Sequence, residues 1–130
     1  MKGVIHHIEI YVGDLKICTE FWGWMLNELG YEQYQKWEKG ISYKLNDSYI
    51  VFVQVDEKHS NIEYHRCKAG INHLAFHGET REFVDAITEK LKARGIRILY
   101  EDRHPYAGGT DHYAVYFEDP SRMKVEIVAE

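Results

Sequence analysis

Val4-Ile5-His6-His7-Ile8-Glu9-Ile10-Tyr11-Val12 is a strand-like run leading into a helical pattern that stops at Gly30. Ala69-Gly70-Ile71-Asn72-His73-Leu74-Ala75-Phe76-His77 leads in the same way into a pattern that stops at Gly95. His7 to Gly30 spans 23 positions and His73 to Gly95 spans 22, so the two stretches keep register through strand and helix. The chain carries one structural unit twice. A histidine inside each first strand predicts a single site shared by the two copies.

Working outward from the first copy, Gly13-Asp14 ends the strand, and Asp14 is a good N-cap for a helix beginning at Leu15. Leu15, Cys18, Phe21, Trp22, Met25, Leu26 and Leu29 recur every three or four residues, which predicts a helix with one apolar stripe. Strands are expected over Tyr31 to Trp37, Ile41 to Leu45 and Tyr49 to Val55, separated by Lys39-Gly40 and Asn46-Asp47-Ser48. The second copy repeats the order. Its helix runs from about Thr80 with Phe83, Val84, Ile87 and Leu91 on one face, followed by strands at Arg97 to Tyr100, His112 to Glu118 and Met123 to Ala129. Asp119-Pro120-Ser121 makes the last turn. The polar stretch Glu101 to Asp111 is the longest loop and a candidate ligand cover.

The fold class is thus α+β, two tandem βαβββ modules. A chain of 130 residues has room for one core, so the two modules are expected to pack as one domain over residues 1–130, with module one at about 1–56, a hinge at about 57–69 and module two at about 70–130. With 45% hydrophobic and 28% charged residues and two prolines, the composition is that of a folded soluble protein. A net charge of -5 without a Lys/Arg cluster argues against nucleic acid, whose affinity comes largely from cations on phosphate. A small-molecule partner is expected instead. No stretch has the length of a signal peptide core or a membrane span, which predicts a cytoplasmic protein without a membrane partner. Cys18 and Cys67 are isolated and expected to stay reduced, Cys18 as helix packing.

Strand alternation sorts the side chains. His6, Ile8, Ile10 and Val12 share the face expected to pack on the helix, which leaves His7, Glu9 and Tyr11 on the other. In the second copy Asn72, Leu74 and Phe76 take the helix side, and His73, Ala75 and His77 the opposite one. In the last strand Val125 and Ile127 are the apolar pair, with Lys124, Glu126 and Val128 facing away from them. Two imidazoles and a carboxylate are therefore expected on one concave surface.

The paired βαβββ units, the histidines in Ile5-His6-His7-Ile8 and Ile71-Asn72-His73-Leu74, and the ending Tyr113-Ala114-Val115-Tyr116-Phe117-Glu118-Asp119-Pro120 with Lys124-Val125-Glu126-Ile127-Val128 resemble the vicinal oxygen chelate superfamily. That family contains glyoxalase I, bleomycin and fosfomycin resistance proteins and extradiol dioxygenases. The resemblance covers essentially the whole chain. It implies a glyoxalase-like domain whose cup-shaped mixed sheet carries its helices on the outside and holds one divalent metal ion, with His7, His73 and Glu126 at the ligand positions. The family's fourth ligand position aligns with Phe52, placed here among the substrate-lining residues; Gln54 would serve only in a register two residues away. Arg122 stands where the family commonly has glycine in the turn.

Two neutral imidazoles and a carboxylate suit Zn, Ni, Mn or Fe and leave positions open for substrate, which points to catalysis rather than to a structural ion. A substrate chelating through adjacent oxygens would have its developing negative charge neutralised there. Glu9 is the expected catalytic base. Tyr11, Phe52, His77 and Tyr113 are expected to bind substrate. His6 sits beside a ligand without being one, and His59, His65, His104 and His112 are expected to be solvated. The alternative for His104, with Tyr106 in the same long loop, is contact with substrate.

The leading expectation is a metal-dependent glyoxalase-like enzyme, a lyase, isomerase or related activity. The alternatives are a metal-free module of the bleomycin-resistance type that holds a planar ligand in an aromatic cup, or a small extradiol-type dioxygenase, which would need Fe(II) and consume oxygen. A homodimer is expected, with His7 meeting His73 and Glu126 from its own chain or from a partner's.

Overall fold

The computed structural model describes residues 1–61 and 63–130; position 62, inside the expected hinge, lies outside the described residues. The chain divides into two compact units, Met1–Glu63 and Tyr64–Glu130. Each is a βαβββ module, as the repeat in the sequence predicts.

In the first unit the order is β1 (His7–Val12), α1 (Leu15–Glu28), β2 (Glu32–Trp37), β3 (Gly40–Leu45) and β4 (Ser48–Gln54). Its mixed sheet runs β1-β4-β3-β2, with β1 parallel to β4 and the other pairs antiparallel. The Asp14 carboxylate accepts from the Ile17 amide at 3.1 Å and caps α1. At the other end Gly30 takes φ +92°, its amide reaches Asn27 O at 3.0 Å, and the Tyr31 amide reaches Leu26 O at 2.8 Å. This is a Schellman closure, which needs the left-handed backbone glycine adopts without strain. The buried stripe Cys18, Phe21, Trp22, Met25 and Leu26 packs on the sheet, with the Trp22 ring stacked on Phe52 at 5.4 Å between centroids.

In the second unit β5 (His73–Glu79), α2 (Arg81–Ala93), β6 (Ile98–Leu99), β7 (Tyr113–Glu118) and β8 (Lys124–Ala129) form a sheet of order β5-β8-β7-β6, again with the outer pair β5 and β8 parallel. Thr80 caps α2 through the Phe83 amide at 3.1 Å, and Gly95 closes it by the same two bonds. Val84, Ile87 and Leu91 lie under the helix with buried Val115, Phe117, Val125 and Ile127. On the other side of this sheet Leu99, Ala114 and Tyr116 form a smaller cluster against Tyr100, Ala107 and Val128.

The opening strands are shorter than the apolar runs that announce them. Val4 and Ile5 are exposed and β1 begins at His7; β5 begins at His73 rather than near Ala69. The reason is pairing, since the parallel ladders start at His7 with Tyr49 and at His73 with Lys124. Among the described residues no helix is long and apolar enough to cross a membrane.

Candidate functional site

The ladders decide which side chains share a face. In the second unit Glu126 lies beside Ala75 on one side and Tyr116 on the other, so the face opposite α2 carries His73, Ala75, His77, Lys124, Glu126, Val128, Ala114 and Tyr116. Glu126 is the centre of this face. It is a carboxylate with only 4% exposure, and it has three polar neighbours. His73 Nε2 stands 3.4 Å from Oε1, His112 Nε2 bonds Oε2, and the Tyr116 hydroxyl donates to the same carboxylate. A buried carboxylate must be compensated in this way or it would cost several kcal/mol of desolvation, ~3–5 kcal/mol when one partner is removed. Tyr116 feels the arrangement in return: burial, then the charge and hydrogen bond of Glu126, push its phenol up to about 12.

His73 is oriented from behind. Asn72 Nδ2 donates to the Arg66 carbonyl at 3.2 Å, which turns Asn72 Oδ1 toward His73 Nδ1 at 2.7 Å. An oxygen there calls for a proton on Nδ1, so in the neutral ring Nε2 is the nitrogen left to act as a ligand, whereas in the imidazolium Nε2 donates toward Glu126. In the first unit the His6 Nδ1 lies 2.8 Å from His7 Nδ1 while the His7 ring stacks flat on Tyr49. Two expectations are corrected by these contacts. Neither His6 nor Asn72 lies on the helix side, because both precede the first paired residue and are free of the strand alternation.

The structure also reassigns other sequence-predicted site residues. Phe52 is fully buried against Trp22 on the α1 side, so it does not line a substrate surface. Gln54 is on that side as well, receiving the Leu15 amide at 2.9 Å and donating to Gly13 O at 2.9 Å. The residue of β4 that matches Glu126 in register is Val51, which pairs with Glu9 as Glu126 pairs with Ala75. The first unit thus offers an isopropyl group where the second offers a carboxylate. Tyr113 points to α2, its hydroxyl 2.5 Å from Asp85 Oδ1 and its ring under Arg81, which places it on the wrong face of β7 for Glu126. His112, expected to be solvated, is instead a direct partner of Glu126. Its ring stays 41% exposed, so it closes the carboxylate from the solvent side.

Glu9 and Tyr11 are exposed on the His7 face of β1, as alternation predicts. His77 shares the Glu126 face but pairs with Glu130 at 3.3 Å near the chain end. His104 is partly buried, and its imidazole is pushed below the usual value by burial and then by Lys92. Tyr106 packs edge-on to Tyr113, on the α2 side. Cys18 is buried and Cys67 exposed, and neither is in a disulfide.

Among the described residues no group of three or more His, Cys, Asp or Glu side chains is arranged to hold a metal ion unaided. The pair His73 and Glu126 nonetheless suits one. Its 3.4 Å donor separation equals the edge of a tetrahedron with bonds of about 2.1 Å, the length usual for nitrogen and oxygen on zinc. Imidazole with carboxylate is also the borderline donor set that the divalent transition metals prefer.

A tandem βαβββ chain whose first strands present oriented histidines and whose last strand buries a glutamate defines a class, and the whole-chain comparison agrees. The family model of the Glyoxalase/Bleomycin resistance protein/Dioxygenase superfamily matches residues 4–127, and the chain belongs to that family. Its relatives include the uncharacterised Bacillus subtilis protein YqjT, 59% identical over 96% of this chain and 98% of that one. A candidate glyoxalase from Bacillus halodurans, known from a crystal structure, is 56% identical with a TM-score of 0.98 over 99% of this chain and 97% of that chain. At 24% identity, FosX of Listeria monocytogenes, solved as a mutant with Mn(II) and 1S,2S-dihydroxypropylphosphonic acid, shares the fold with a TM-score of 0.71 over 99% of this chain and 93% of that chain.

Proposed function

We propose that the protein is a metal-dependent enzyme of the glyoxalase-like type, a lyase, isomerase or related catalyst for a small substrate that chelates the metal through adjacent oxygens. The observation that carries this reading is the pair formed by Glu126, a buried carboxylate, and Nε2 of an imidazole that Asn72 holds in place, 3.4 Å apart. With its Nδ1 proton held by Asn72, the neutral His73 ring leaves Nε2 to bind a cation together with the carboxylate. The ligands in this reading are His73, Glu126 and, from the equivalent register position of the first unit, His7. A divalent ion of the Zn, Ni, Mn or Fe group would supply a Lewis acid for charge developing on the substrate oxygens.

The remaining roles fall to this chain's own side chains. Asn72 holds the His73 ring and His6 contacts that of His7, while Tyr116 and His112 hold the Glu126 carboxylate in place and shield it from water. Glu9, exposed and on the His7 face, is the group that takes a proton from substrate. The protein would act as a cytoplasmic homodimer. Elemental analysis of the purified protein tests the reading, with about one equivalent of metal expected in the parent, little in His73→Ala and Glu126→Gln, and a full complement with lost turnover in Glu9→Gln. Full metal content in His73→Ala would refute it. The second reading, a metal-free binding module, is favoured by the direct His112 bond, which satisfies Glu126 Oε2 without any ion; a parent protein that takes up no metal would establish it.

A further inference from the structure

Two cations of the second unit converge on one tyrosine without an acid to neutralise them. Lys124 follows the last turn on the Glu126 face of β8, two residues before Glu126 and directly beside His73 in the ladder. Its Nζ lies 3.3 Å from the Tyr100 hydroxyl, 5.6 Å from the Tyr100 ring centre and 5.9 Å from that of Tyr116. The Arg103 guanidinium stands 5.0 Å from the same Tyr100 ring. Among the described residues neither cation forms an ion pair. The acid opposite Lys124 in the ladder, Glu118, is taken by Arg66 at 3.0 Å and Arg122 at 3.6 Å. Glu101 and Asp102, next to Arg103 in sequence, are exposed and pair with neither. In a chain where 21 acidic residues outnumber 16 basic ones, two like charges left together at one ring are not a shortage of partners.

The platform itself is strained. Tyr100 has φ +56°, the left-handed region, which costs a non-glycine residue ~1–2 kcal/mol and brings its ring and hydroxyl to Lys124. Tyr116, whose hydroxyl belongs to Glu126, touches the Tyr100 ring edge-on at 5.6 Å, so the cationic group and the carboxylate cluster share an aromatic wall. Along β8 the two are roughly 7 Å apart, the span of two strand residues.

We infer that Lys124, the Tyr100 hydroxyl and Arg103 form an oxyanion subsite, and that the substrate is a small molecule carrying a carboxylate or phosphate-type group a few bonds from its chelating oxygens. The substrate clause rests on the metal-enzyme reading; the subsite does not. The ammonium and hydroxyl, 3.3 Å apart, supply adjacent donors for two oxygens, and the guanidinium at the same ring adds a second positive charge.

The test is calorimetric titration of inorganic phosphate into the full-length protein after removal of metal by chelation, so that only the subsite can respond. One saturable site is expected, with affinity reduced at least about tenfold in Lys124→Met, as for loss of a charge-assisted bond, less in Arg103→Met, and largely kept in Lys124→Arg. Absence of saturable binding in the parent, or equal affinity in a folded Lys124→Met, would overturn the inference. Phosphate binding in a protein that takes up no metal would leave the subsite standing and refute the metal-enzyme reading alone.

Discussion

Replacing Gly108 by alanine would put a methyl carbon 2.5 Å from His112 Cδ2 and 2.6 Å from the Tyr116 hydroxyl oxygen, closer than carbon atoms of folded proteins approach such neighbours. Both neighbours hold Glu126, so the hydrogen at Gly108 is what lets the long loop press against the carboxylate cluster. The His112 ring, 41% exposed, can swing outward, but Tyr116, 9% exposed and packed with Leu99 and Ala114, has nowhere to go. Overpacking of this kind costs ~1–3 kcal/mol, and the stiffer unfolded chain of an alanine returns ~0.4–1 kcal/mol, for a net loss of about 1–2 kcal/mol. On a chain of this length that lowers the melting temperature by roughly 3–8 °C. Denaturant unfolding gives the free energy, and alkaline titration of tyrosinate absorbance reports whether the Tyr116 phenol, held up at about 12 by burial and then by Glu126, moves down as the ring is displaced from its packing and from the carboxylate. A Gly108→Ala protein as stable as the parent, with that titration unmoved, would show that the loop does not bear on the cluster.

Two further outcomes are expected. Tyr113 and Tyr116 both have phenols pushed up to about 12 from 10, the first by its bond to Asp85 and the second by burial. A folded state that holds these protons more tightly is stabilised in full below pH 10 and loses that contribution as pH climbs from 10 toward 12. The loss should be smaller in Tyr116→Phe and little changed in Tyr113→Phe, whose exposed hydroxyl is screened by water. Arg122 occupies φ +66° in the turn before β8 and holds Glu118 only at 3.6 Å with 62% exposure, so Arg122→Gly should be stabilising by about 0.5 kcal/mol and Arg122→Val destabilising by more than ~1 kcal/mol. Chemical denaturation that ranked valine above glycine there would contradict the backbone argument.

The repeat, the helix cap at Asp14, the helix start near Thr80 and the exposed faces of β1 and β5 were all legible from residue type and spacing, because each is a local signal. Register in β4 was not. Tyr49-Ile50-Val51-Phe52-Val53 is apolar throughout, so alternation cannot say which residues face α1, and only the parallel pairing of β4 with β1 sets Val51 rather than Phe52 at the register position equivalent to Glu126. His112 lay within reach of the same reasoning that found Glu126. Carrying the two-residue period back from Tyr116 through Ala114 puts it on the carboxylate face, but its polar surroundings hid a contact that depends on the fold of the loop and on the missing side chain of Gly108. Tyr113 is excluded by that same period, which pairs it with Val115 and Phe117 toward α2.

All three tryptophans, Trp22, Trp24 and Trp37, belong to the first βαβββ unit, and the second contains none. Indole emission is therefore a private optical channel for one half of a duplicated molecule, with Trp22 stacked on Phe52 as its most sheltered emitter. Melting followed by fluorescence and by backbone dichroism on one sample gives coincident curves if the halves come apart together and displaced curves if one outlasts the other. The distribution of a single residue type thus makes this chain its own reporter of whether duplication produced one cooperative body or two.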